Sequence, residues 1–190
     1  MAKAAPDCIY QLKVTLAGPR PLIWRRLLVS SSASLKELHY ILQVAMGWTD
    51  SHLHQFEAKG QLYGKPTREL ELDLPMKDEA RARLDQLLMR EKDSMLYEYD
   101  FGDSWTHQIV LEKILAPSPQ IKVPQCTAGA RACPPEDCGG VFGYVELLKA
   151  LKVPSHPEHE DMLEWIGEDY DPTFFDLELV NKQLGRRKHG

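Results

Sequence analysis

Apolar and polar positions alternate along the first part of the chain. Over residues 8–16, Tyr10, Leu12, Val14 and Leu16 fall on one side and Gln11, Lys13 and Thr15 on the other, the period of a half-buried strand. Gly18-Pro19-Arg20-Pro21 marks a turn. Residues 22–29 read as a second strand with Trp24, Arg26 and Leu28 on one face. The period then lengthens. From 34 to 46, Leu35, Leu38, Ile41, Leu42 and Ala45 trace one helical stripe, Ser34 and Glu37 have capping-box spacing, and Gly47 supplies a left-handed stop. Alternation returns at His52, His54 and Phe56, which share a strand face, and Lys59-Gly60 turns the chain into a short strand over 61–63.

The middle of the chain predicts an edge strand over 69–74, stopped by Pro75, and a helix from an Asp78 N-cap to about residue 90 with Ala80, Leu84, Leu87 and Leu88 inward. Two strands then flank Asp100-Phe101-Gly102-Asp103, a sequence with hairpin-turn chemistry. After it Trp105, His107, Ile109 and Leu111 face one way and Thr106, Gln108 and Val110 the other. Residues 116–140 form a long Pro-rich loop, of a length that points to function or to a clamp. Helices follow over 141–151, from His156 through Trp165, and from Asp171-Pro172 to Gly185, the last buried by Phe174, Phe175, Leu177, Val180 and Leu184. Arg186-Arg187-Lys188-His189 reads as a frayed basic tail.

The expected fold is therefore α+β, a single domain over 1–190. A mainly antiparallel sheet of about five or six strands, within a strand-rich part over 8–115, is covered by helices, and the C-terminal third over 141–185 is helical.

Composition narrows the function classes. The 190 residues suffice for one sizeable core, and 43% hydrophobic with 27% charged residues is ordinary for a soluble protein. A net charge of −5 does not favour nucleic acid as a partner. The charge is uneven: residues 1–70 hold nine Lys/Arg against five Asp/Glu, and residues 156–184 one Lys against nine Asp/Glu. No apolar run approaches a membrane span and the N-terminus lacks a signal-peptide core, so the expected location is the cytoplasm. The four cysteines are then thiols or metal ligands rather than disulfides.

Three sets of residues carry candidate chemistry. Trp48, His52, His54, Asp100, Asp103, Trp105 and His107 can line one groove if the strands bearing them are neighbours, as aromatic rings with a few convergent polar groups suit a small-ligand or peptide pocket. On the bland reading His107, between Trp105 and Ile109, is a hydrogen-bonded, partly buried histidine; on the sharper one it is a ligand or acid–base group beside Asp100 and Asp103. His52 and His54, two apart on a strand, project alike and can share a metal. Cys126, Cys133 and Cys138, with His156, His159 or His107 as a fourth ligand, can hold zinc, although their spacing is wider than that of common zinc knuckles and Pro134-Pro135 stiffens the span. Small buried or free thiols are the alternative. Arg25-Arg26 beside Trp24 can grip an anion or decorate a solvated sheet edge.

Several of these segments also carry a resemblance. Ile23-Trp24-Arg25-Arg26, Leu38-His39 through Met46-Gly47-Trp48, and His52-Leu53-His54-Gln55-Phe56 are three of them. Tyr97-Glu98-Tyr99-Asp100-Phe101-Gly102-Asp103-Ser104-Trp105-Thr106-His107 and Ala132-Cys133-Pro134-Pro135-Glu136-Asp137-Cys138-Gly139-Gly140 are two more. The series ends with Gly143-Tyr144, Trp165-Ile166-Gly167 and Asp171-Pro172-Thr173-Phe174-Phe175-Asp176. In this order, over nearly the whole chain, they resemble the plasmid pRiA4b ORF-3-like family, which also carries a transposon-passenger, resolvase-derived name. The resemblance implies association with plasmids and transposons and no characterised activity. The residues add no support for recombinase chemistry, since Ser30-Ser31-Ser32 reads as a loop before the capping Ser34.

The expected function is a binding module with an aromatic/His/Asp groove, its partner an unknown ligand or protein. The alternatives are a metal-dependent or His/Asp-based hydrolase, through His107 and Asp103, and an accessory of mobile DNA that meets phosphate through Arg20, Arg25 and Arg26 or binds a partner protein.

Overall fold

The alternating run at the start becomes β1 (Ile9–Leu16), with Leu12, Val14 and Leu16 buried and the intervening polar residues half-exposed. The computed structural model describes residues 7–65, 76–167 and 169–186. After β1 come β2 (Trp24–Ser30), α1 (Leu35–Met46), β3 (His54–Ala58), β4 (Gln61–Gly64) and β5 (Lys77–Asp78). A 3-10 turn (Glu79–Arg81), α2 (Leu84–Leu87), β6 (Ser94–Tyr99), β7 (Trp105–Leu115) and β8 (Gln125–Ala130) follow, and α3 (Gly140–Lys152), α4 (His159–Ile166) and α5 (Leu177–Arg186) close the chain.

The strands form one sheet in the order β5-β4-β3-β6-β7-β1-β2-β8, antiparallel except for the β4–β5 pair. The fold is α+β as expected, but the described residues hold eight strands rather than five or six, with five α-helices. Ser34 caps α1, its hydroxyl accepting from the Glu37 N–H while the Glu37 carboxylate accepts from the Ser34 N–H, and Gly47 ends it at φ 89°. The buried face of α1 lies on the sheet face carrying Leu12, Val14, Tyr97, Trp105 and Ile109, and together they form the core.

Three expectations change. The predicted 78–90 helix is replaced by the 3-10 turn and the single turn of α2, because its backbone bonds to the segment before α1: Leu35 N–H donates to Ala82 O and Leu84 N–H to Ala33 O. The Cys/Pro-rich loop contains β8, which pairs along β2, so β2 is not an edge strand. In β2, Arg25, Leu27, Leu28 and Val29 are buried, while Trp24 and Arg26 are half-buried. The last helix begins at Leu177, since Asp171 caps a tight turn through the Thr173 N–H instead. The predicted strand over 69–74 and the tail residues 187–189 lie outside the described residues.

Candidate functional site

Helical spacing puts Lys36, His39, Tyr40 and Gln43 near one another on α1. His39 and Gln43 are buried against β6 and need partners there. A closed ring of hydrogen bonds supplies them. Asp50 N–H donates to Gln43 Oε1 (2.9 Å), Gln43 Nε2 donates to the Tyr97 hydroxyl (3.0 Å), that hydroxyl lies 2.8 Å from His39 Nδ1, and His39 Nε2 lies 2.8 Å from Asp50 Oδ1. One proton arrangement satisfies every member. The Tyr97 oxygen accepts from Gln43, its hydrogen goes to Nδ1, and the single ring proton of His39 sits on Nε2 facing the carboxylate. Burial, and then the neighbouring His54, push His39 down to about 4, so the ring is neutral at pH 7.

His54 opens β3 and pairs with Tyr99 of β6, which turns its ring to the same inner face. The ring stacks on His39, with centroids 3.4 Å apart and planes 5° from parallel. Its Nε2 lies 2.7 Å from Oε2 of the buried Glu79, held by the 3-10 turn that replaced the predicted helix. Two imidazole–carboxylate pairs are thus stacked at the floor of a cavity of about 370 Å³. Lys36, Tyr40, Lys65, Asp78 and Phe101 also line it, giving charges of both signs beside aromatic surface.

Of the groove predicted from sequence, His52 and His54 line this cavity. The register β3–β6–β7 sets His54 and His107 on the same sheet face, yet Trp48, Trp105 and His107 belong to the core. His107 is fully buried rather than partly so, with Nδ1 3.4 Å from Tyr97 O, Nε2 unpaired, and its pKa lowered to about 4 by burial. Asp100 is buried and holds the hairpin turn, accepting from the Gly102 N–H (2.9 Å). His52 sits between two acids, with Nδ1 3.7 Å from Asp100 Oδ2 and Nε2 3.3 Å from Asp137 Oδ1, the latter without hydrogen-bond alignment. Asp103 receives the Gly139 N–H at the start of α3 (3.2 Å), an anion at a helix N-terminus.

The structure also shows what clamps the long loop. Trp48 Nε1 donates to Pro134 O (3.0 Å), and the Glu136 carboxylate accepts from the Tyr99 hydroxyl and from Thr49 N–H (3.2 Å). No three of Cys126, Cys133, Cys138 and His156 bring their ligand atoms within 4.8 Å of one another. Burial raises all three of these thiols, Cys133 and Cys138 to about 12, and the Cys133 thiol contacts Met46 Sδ at 3.5 Å. None of the four cysteines is in a disulfide. Arg25 is buried: Nε donates to Ala45 O at the end of α1 (2.8 Å), Nη1 to Trp24 O and Ala130 O, and its guanidinium lies 3.9 Å from the Phe175 ring centre. Arg26 pairs with Glu112. Both arginines are engaged within the fold.

Among the described residues, two groups gather three ligand-type atoms within 4.8 Å: His39–Asp50–His54 and His52–Asp100–Asp137. In the second, the acids sit on opposite ring nitrogens, which suits an imidazole bridge better than one ion. In the first, coordination at His39 Nε2 moves the ring proton to Nδ1 and leaves the Tyr97 hydrogen without an acceptor. That costs about 1–3 kcal/mol, against a metal-binding free energy on the order of 10 kcal/mol. The ring planes are parallel, so seating one ion also requires His54 to turn about its ring bond. The residues fit an ion with those two adjustments.

His39, Asp50, Glu79 and Tyr97 escaped sequence reasoning as site residues. One signal was available: a histidine at position 39 lies next to the apolar stripe of an otherwise well-patterned helix.

The fold and cavity define an α+β protein with one mixed, mostly antiparallel sheet and a polar pocket beside its first helix. The chain belongs to the plasmid pRiA4b ORF-3-like protein family, whose model matches residues 8–179. It is 38% identical over 177 residues to the uncharacterized protein y4hQ of Sinorhizobium fredii (strain NBRC 101917 / NGR234), covering 93% of this chain and 90% of that protein. It is similar to the crystal structure of MM3350, a protein of unknown function from Methanosarcina mazei Go1. The TM-score is 0.82 and the identity 39%, over 95% of this chain and 99% of the other.

Proposed function

We propose that the protein is a binding module that takes a small polar ligand into the cavity beside α1. The observation that carries this reading is the pair of stacked imidazole–carboxylate units at the cavity floor, pre-oriented by a complete hydrogen-bond ring. Such a floor offers oriented polar atoms without further ordering, which favours binding. Lys36 and Lys65 add cationic contacts for an anionic group, and Asp50, with its side chain 35% exposed, is placed to meet a donor. A cytoplasmic location and an accessory role in mobile DNA belong to the same reading, supported by four cysteines outside any disulfide and by the family resemblance. Among the described residues no helix is long and apolar enough to cross a membrane.

The test is thermal unfolding against a panel of small polar metabolites, with wild type and Asp50→Asn compared. A ligand at a hundred times its Kd adds about 2.7 kcal/mol, so a subset of compounds should raise the wild-type Tm and lose that effect in the variant. A panel without response, or a response unchanged by the substitution, would overturn the reading.

One contact favours a second reading, acid–base hydrolysis. Glu79 orients His54 as a carboxylate orients a catalytic histidine. A hydrolase screen in which any activity found survives His54→Gln would remove it.

A further inference from the structure

We propose that the cavity floor binds one divalent transition-metal ion of the Zn²⁺ class through His39, Asp50 and His54. The proposal rests on the reading of the cavity as a ligand site and names what occupies its deepest part. Three observations carry it. The first is convergence: one ligand atom from each residue lies within 4.8 Å of the other two, although the three come from a helix, a loop and a strand. The second is the donor set. Two imidazoles and one carboxylate suit borderline ions such as Zn²⁺, Co²⁺ and Ni²⁺, whereas Mg²⁺ and Ca²⁺ prefer all-oxygen sites.

The third is the surrounding support. Each ligand has a hydrogen-bonded partner: Tyr97 on His39 Nδ1, Glu79 on His54 Nε2, and Gln43 on the Asp50 backbone N–H. Outer partners of this kind set ring tautomers and orientations around bound ions. On binding, His39 keeps its single ring proton and shifts it from Nε2 to Nδ1, where the Tyr97 oxygen 2.8 Å away receives it. Glu79 accepts the Nε2–H of His54 when Nδ1 faces the ion. The cavity above leaves a coordination position open to water or to a ligand group.

The experiment uses the full chain, purified without a polyhistidine tag and stripped of metal. Co²⁺ is titrated while its visible absorption bands are followed, and Zn²⁺ is then added in competition. The expected result is one Co²⁺ per chain, displaced by Zn²⁺. Asp50→Asn and His54→Gln should weaken binding by roughly ten- to a hundredfold, in line with the loss of ligands or their supports. His156→Ala and Cys138→Ser should leave it unchanged. Asp50→Asn preserves size at a half-exposed position, so it decides the matter if His54→Gln does not fold.

No Co²⁺ or Zn²⁺ binding, equal affinity in all variants, or weakening in Cys138→Ser alone would overturn the site. The metabolite panel, run on metal-free protein, separates the two readings. Compounds that stabilise a protein unable to bind metal would overturn the ion and leave the cavity as a ligand site. Silence in both experiments would remove both.

Discussion

His39 and His54 stack face to face, 3.4 Å between ring centres and 5° from parallel, one presented by a helix and the other by a strand. Two imidazolium rings at that distance would repel, which favours the neutral form of His39. Burial and the His54 neighbour hold His39 neutral to about pH 4, and burial, with the Arg25 charge adding to it, does the same for His107.

A pH dependence follows. Both histidines have folded values of about 4 against an ordinary 6.5. The unfolded chain therefore binds more protons than the folded one between these limits. The stabilisation is complete above pH 6.5, declines as pH falls, and is lost by about pH 4; each histidine accounts for up to about 3 kcal/mol. Urea unfolding at pH 7.5, 5.5 and 4.5 should show the decline, and His39→Asn should flatten part of it. Equal stability at all three would refute the assignment.

Tyr97 joins two buried groups through one hydroxyl. Tyr97→Phe keeps the ring but strands Gln43 Nε2 and His39 Nδ1, at a cost of roughly 1–3 kcal/mol. Because Gln43 belongs to the same ring of bonds, adding Gln43→Leu should cost less than the sum of the single changes. Strict additivity in the double-mutant cycle would show that the two side chains are not coupled.

Gly140 has φ 67°, and a Cβ there would meet Asp103 O at 2.7 Å. This close approach lets the Asp103 turn dock on the start of α3. Gly140→Ala is expected to destabilise by about 1–3 kcal/mol. Gly185→Ala, within α5 and with open space around it, is expected to be neutral or stabilising. Chemical denaturation of the two variants checks the contrast.

Arg25 links the end of α1, β2, β8 and Phe175. Lysine cannot reproduce the guanidinium fork, so Arg25→Lys should cost roughly 2 kcal/mol or more. Arg26→Lys, at a partly exposed pair with Glu112, should cost about 1 kcal/mol or less. A reversed order in urea unfolding would contradict the structural role given to Arg25.

Glu136 ties the Cys/Pro-rich loop to Tyr99 and Thr49. Glu136→Ala should speed amide exchange in residues 131–139 while leaving β1 and β7 protected. Uniform acceleration across the sheet would mean that the loop is part of the global unfolding unit.

Much of the architecture is legible from local periodicity and end signals. The faces of β1, the Ser34–Glu37 cap, the Gly47 stop and the Asp100–Asp103 hairpin all stand in the structure where the chain's pattern puts them. Each depends on contacts within a few residues, which sequence spacing encodes directly. β8 carries no such signal. Gln125–Ala130 is small and polar, and it becomes a strand because β2 offers it backbone partners and Gly129 lets Phe175 and Arg25 approach. The predicted helix over 78–90 fails for the same reason in reverse, its backbone groups being taken by the chain before α1.

The site divides in the same way. Sequence alone determined that Trp105 and His107 share a face and that the protein is α+β. Only the tertiary structure decided that His54 meets His39, Asp50 and Glu79, and that Trp48, Trp105 and His107 enter the core. The physical reason is that periodicity tells which side of an element turns inward. It does not tell which residue of another element waits there, because that depends on the register of β3 against β6 and the seating of α1 on the sheet.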